Sequence, residues 1–261
     1  MEKKEEVSKK LNLTFLFNLI LMVSGLAITY SAPYSNYVVY VTFGNLFFWL
    51  PLTFILTKSV VRKVFSYLSK NWNKKSLAIF STYLSIHYFV YSIALERLLT
   101  SIYGELFRIS SPFLTFSVSY FYPPGPYTFL INLIFNPSIV IGFPPNYYLE
   151  LSFYSVIMGF LIDGVVTTTI LRVLEIYKKV RIRAIIIPPI LGVLAGGSCC
   201  VSIPVILATA IPAANVLFFL PIGNTALFLA YILLPPITLI GLIFHFNSLF
   251  PKISRKFRLQ R

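Results

Sequence analysis

Long uncharged runs alternate with short basic ones along this chain. Apolar stretches cover residues 11–30, 37–57, 77–95, 150–171, 184–203 and 224–246. Each holds roughly 20 residues, the length a helix needs to cross a hydrocarbon layer about 30 Å thick. Of the 22 Lys and Arg residues, 20 fall in four clusters at 3–10, 58–75, 172–183 and 252–261. This pattern predicts an all-α, polytopic transmembrane helical bundle forming one integral membrane domain.

Basic clusters mark the cytoplasmic side of membrane proteins. If all four lie inside, each gap between them holds an even number of crossings. The expected total is six, with both termini cytoplasmic and the chain in the plasma membrane. Within the last gap, 184–203 crosses, 204–222 is re-entrant or interfacial, and 224–246 crosses back. The alternative, two full spans in 184–222, makes seven and leaves the basic tail outside.

Two connections stand out. The stretch 58–75 spaces Val60, Val61, Val64, Phe65 and Leu68 at helical intervals among Lys and Arg, which predicts an amphipathic helix on the cytoplasmic surface. The outer segment 96–149 is broken by Pro112, Pro123, Pro124, Pro126, Pro137, Pro144 and Pro145. Its apolar part, 113–143, is expected to stay outside or to dip in and return.

Composition agrees with this reading. The chain of 261 residues is 57% hydrophobic and 11% charged, well under the roughly 25% charge of a soluble domain. The formal charge of +14 does not point to nucleic acid, because the basic residues cap apolar runs. The expected partners are the lipid bilayer, its anionic headgroups and other membrane subunits. The wealth of Ile, Tyr, Phe and Lys resembles membrane proteins from thermophilic archaea and carries no functional inference.

Asp163 is the lone aspartate and sits mid-span in GFLIDGVVTTT. Ionisable groups at membrane depth are costly and usually functional. Asp163 is therefore a candidate proton or cation site, with Thr167, Thr168 or Thr169 as neutral oxygens. The plainer alternative is a carboxyl hydrogen-bonded for packing. His87, in the third span, has nearly the same expected depth and would relay protons with Asp163 if the two touched; otherwise it is a lone core histidine. His245 is too far along the last span to share a haem with His87, and no cofactor is expected.

Gly196, Gly197 and Pro204 interrupt the fifth span. Glycine and proline breaks in apolar helices point to transporter binding sites. Cys199 and Cys200 follow at once, and thiolates suit soft metals. The segment GGSCCVSIPVILATAI resembles the vicinal-cysteine helix of the mercuric-ion transport proteins. The resemblance implies metal handling by Cys199 and Cys200. It covers only that segment, and the family's second cysteine pair and three-helix layout are missing. Two small buried residues at a tight crossing are the plainer reading. No nucleotide-binding or hydrolase motif occurs. The chain is expected to be a permease-like translocator of a small solute, proton or metal ion, or else a non-catalytic subunit of a larger membrane complex.

Overall fold

A computed structural model describes residues 2–90, 109–120, 125–144, 147–180 and 221–250. The elements are helices α1 (Glu2–Tyr30), α2 (Tyr37–Lys58), α3 (Arg62–Lys70) and α4 (Lys74–Ser85), then strand β1 (Phe113–Ser117), helix α5 (Pro126–Phe135), strands β2 (Ser138–Phe143) and β3 (Tyr147–Ser152), and helices α6 (Phe153–Val180) and α7 (Pro221–Ser248). Among the described residues three helical stretches are long and apolar enough to cross a membrane: Leu13–Tyr30, Tyr34–Lys58 and Phe153–Ile176. The fifth span expected at 184–203, and the segment 204–220 after it, lie outside the described residues. The sixth falls within α7, which also holds Pro235 and Pro236.

The chain divides into two compact units, one of Met1–Lys63 with Leu84–Phe160, the other of Val64–Tyr83 with Leu161–Arg261. In the first, α1 and α2 lie against each other with Gly25 facing Gly44. Small residues of this kind let two helix backbones approach closely. Thr29 seals the crossing by donating its hydroxyl to the Gly25 carbonyl at 3.0 Å. Away from it the helices present bare apolar side chains, with Leu13 69% and Phe17 59% exposed. An apolar surface of that extent is compatible with contact to lipid.

The purely α-helical expectation is corrected by a small sheet. β1, β2 and β3 form one antiparallel sheet in that order, with Phe113 opposite Gly142 and Val140 opposite Glu150. β2 buries Ser138, Val140 and Gly142 and turns Ile139 and Phe143 outward. That alternation of two is the signature of a strand, and Ile and Val suit it. The Phe113 ring covers Gly142, where a β-carbon would collide with it. The described part of the segment expected as an outer loop thus holds β1, α5 and β2, and β3 runs on to Ser152.

The helix expected to be the fourth span consequently starts at Phe153 rather than at 150. Ser152 caps it: the Ser155 amide donates to Ser152 Oγ at 3.3 Å, and the Ser152 amide donates to Ser155 Oγ at 2.9 Å. Such a reciprocal pair satisfies amides that have no partner within the helix. Asn73 and Ser76 do the same for α4. At its other end α6 runs to Val180, so Arg172, Lys178 and Lys179 of the third basic cluster are helical, not in a loop.

α3 forms within the basic stretch 58–75, where the sequence predicts a helix. Of the apolar stripe, Val64 and Leu68 of α3 and Val61 just before it are buried, whereas Val60 is 53% exposed. In the second unit Phe65 packs onto Gly164 of α6, where a β-carbon would stand 2.8 Å from the ring.

The C-terminal end of α5 meets α2. Asn132 O accepts the Asn136 amide at 3.1 Å, the carbonyls after it have no amide ahead of them in the helix, and α2 supplies further donors. Trp49 Nε1 donates to Leu133 O at 2.8 Å, and Asn45 Nδ2 approaches Asn132 O at 3.4 Å. Asn45 and Trp49 lie about 12 and 18 Å along α2 from Tyr37 at helical rise, so the end of α5 sits beside the middle of α2. Tyr37 Oη donates to Asn132 Oδ1 at 2.7 Å, and Asn136 Nδ2 donates to the same oxygen at 2.7 Å. Asn136 also binds the Ser119 backbone in both directions. The polar residues Asn132 and Asn136, awkward in an apolar run, thus fasten the end of α5 to Tyr37 and to Ser119.

Candidate functional site

Helix α6 is buried on every face from Leu161 to Thr169. Asp163 stands in the middle of this stretch and is 0% exposed. Its Oδ1 accepts a hydrogen bond from Thr167 Oγ1 at 3.2 Å. Its Oδ2 has no hydrogen-bond partner among the described residues. Thr167 reaches it because residues four apart share a helix face.

The neighbouring threonines are otherwise engaged. Thr168 donates to Gly164 O at 2.5 Å and Thr169 to Val165 O at 2.7 Å. These bonds close on the preceding turn of their own helix. Of the three hydroxyls singled out in the sequence, Thr167 alone bonds to Asp163 among the described residues.

His87 lies in a π-helical turn, Ile86–Val90, that continues α4. π-turns recur at functional positions. The imidazole meets Tyr88 edge to face at 5.3 Å, and a β-carbon on Gly159 would come 3.2 Å from His87 Cδ2. Tyr88 Oη donates to Val156 O at 3.0 Å, across the space that Gly159 leaves open. His87 belongs to the first compact unit and Asp163 to the second. Gly196, Gly197, Cys199 and Cys200 lie outside the described residues. Among those described, no three His, Cys, Asp or Glu residues group closely enough to hold a metal ion.

A polar cluster that sequence reasoning missed closes the far end of α6. Glu175 Oε2 accepts from Tyr67 Oη at 2.7 Å and from Arg172 Nη1 at 2.7 Å. The Arg172 guanidinium lies 4.6 Å from the centre of the Phe250 ring. Tyr67 meets Phe246 and Phe250 edge to face. Three elements, α3, α6 and the end of α7, are clasped here. The available signal was weak: Arg and Glu three residues apart where an apolar run ends.

Burial pushes the Tyr67 hydroxyl up to about 12, helped by its bond to the Glu175 carboxylate. The unfolded phenol loses its proton near 10. The stability it contributes is therefore complete below pH 10 and is lost as pH rises from 10 to 12. The phenolate difference spectrum between wild type and Tyr67→Phe should show one tyrosine titrating near 12. A difference spectrum centred on 10 would contradict the clasp.

Comparison with known protein families, with curated proteins and with solved structures finds no match to this chain.

Proposed function

We propose that the chain is a plasma-membrane protein of six spans with both termini cytoplasmic, and that it is a permease-like translocator of a small solute, proton or metal ion. Asp163 is the group that takes up and releases charge. The observation that carries this reading is the sealed carboxyl of α6, with one oxygen on Thr167 and the other without a partner among the described residues. A permanently charged, half-satisfied carboxylate in that place would be a heavy cost. A carboxyl that is sealed in one conformation and hydrated in another avoids it. Thr167 orients the group. The basic clusters support the orientation of the termini.

A second reading, a non-catalytic subunit of a larger membrane complex, is favoured by β1. That strand leaves Leu114 73% and Phe116 56% exposed, apolar surface suited to a neighbouring subunit.

The path to residue 163 is open to a direct test. Asp163→Cys in a Cys199→Ser, Cys200→Ser background leaves one thiol. A charged, membrane-impermeant thiol reagent added to membranes should label it, because a working path must hydrate this position. Complete resistance to the reagent on both sides, in protein that still elutes as a folded species, would overturn the translocator reading.

A further inference from the structure

We infer that the junction between α2 and the C-terminal end of α5 binds an alkali-metal cation, Na⁺ or K⁺. The site stands on the first unit alone and does not rest on the reading of Asp163.

Asn45 of α2 meets the end of α5. Its side chain is 0% exposed. Its Nδ2 donates to Val41 O at 3.0 Å and approaches Asn132 O at 3.4 Å. Its Oδ1 has no partner among the described residues. One turn earlier on the same face of α2, Thr42 Oγ1 is also buried without a partner among the described residues. A buried amide normally satisfies both ends. Here the donor fills the gap between two carbonyl oxygens, and the acceptor is left over.

A half-turn of the amide exchanges its two ends. Asn45 Oδ1 would then join Val41 O and Asn132 O where Nδ2 now lies. Asn132 O already accepts the Asn136 amide at 3.1 Å, but three oxygens whose remaining lone pairs face one another repel unless a cation stands between them. Hard cations take oxygen ligands of this kind. The C-terminal end of α5 adds its share of the helix dipole, which favours positive charge, and unwound or terminal carbonyls of short helices coordinate Na⁺ in transporters. None of these ligands is a carboxylate. A neutral oxygen set compensates the dehydration of a monovalent ion far better than that of a divalent one. The amide is thus a two-position element: nitrogen inward without the ion, oxygen inward with it.

Trp49 reports on this site. Its indole is bonded to Leu133 O, the carbonyl next to that of Asn132. The chain has two tryptophans, and the other, Trp72, is half exposed. Trp72→Phe therefore leaves one emitter beside the junction. Purified full-length Trp72→Phe protein in detergent should be titrated with NaCl, KCl and choline chloride at constant ionic strength. Emission and the unfolding temperature should both change saturably with NaCl or KCl, and not with choline, since a ligand that binds only the folded state stabilises it.

Asn45→Asp places a permanent acceptor and a charge at the site, and should lower the midpoint about tenfold or more. Asn45→Leu should abolish the response. A flat titration in the Trp72→Phe protein overturns the proposal, as does an equal response to choline. If Asn45→Leu does not fold, Asn45→Asp decides. A purely structural asparagine predicts equal destabilisation in every salt and no shifted midpoint.

Discussion

Gly44→Leu is expected to dismantle the pairing of α1 with α2. A β-carbon on Gly44 would collide with Thr29 Oγ1 and stand 2.8 Å from the Thr29 amide nitrogen and 2.9 Å from Gly25 O. One on Gly25 would stand 2.6 Å from the Phe48 amide nitrogen. Most of the atoms met are backbone, which cannot swing aside as a side chain can. Overpacking of this kind costs about 3 kcal/mol, the upper end of the usual range. That corresponds to a loss of about a hundredfold in the ratio of folded to unfolded protein. Thermal unfolding in detergent and abundance in membranes should both fall sharply. Gly241→Leu in α7 is the control, because nothing lies within 4 Å of a β-carbon there. Equal behaviour of the two variants would show that the crossing is not where the two glycines place it.

That crossing was not legible in the sequence, although both helices were. The apolar runs announce α1 and α2 and three of their four ends, but α1 begins at Glu2, nine residues before its run. Which face of one meets which face of the other depends on register in space, and neither Gly25 nor Gly44 looks unusual in its own segment. The sheet was missed for a different reason. Between 113 and 152 the apolar runs are dense enough to resemble failed spans, and the prolines explained their shortness too readily. The period of two in Ser138–Phe143 and the serine pair Ser152 and Ser155 were the informative signals, since they separate β3 from α6.

The candidate site was half legible. A lone aspartate in an uncharged run identifies itself by its cost, and Thr167 follows from helical spacing. The other hydroxyls do not follow: Thr168 and Thr169 look equivalent to Thr167 until their bonds to Gly164 O and Val165 O are seen. Asn132 and Asn136 read as flaws in a span. They are instead bonded to one another and to Tyr37 and Ser119, and the last two contacts join segments apart in sequence that no local pattern encodes. The clasp of Tyr67, Arg172 and Glu175 escaped for the same reason.

The central claim is that Asp163 exchanges charge with water as part of a transport cycle. Proton flux into proteoliposomes tests it most directly. Vesicles carrying a trapped pH dye and driven by a valinomycin-set K⁺ diffusion potential should acidify faster with wild-type protein than without it. Asp163→Asn should cut the protein-dependent rate about tenfold or more, because an amide neither takes up nor releases a proton. It should reconstitute as well as wild type, since Asn still accepts from Thr167. Thr167→Val, which only frees the carboxyl to turn, should slow the flux less. Asp163→Asn conducting at the wild-type rate, or wild-type vesicles behaving like protein-free ones, would contradict the account.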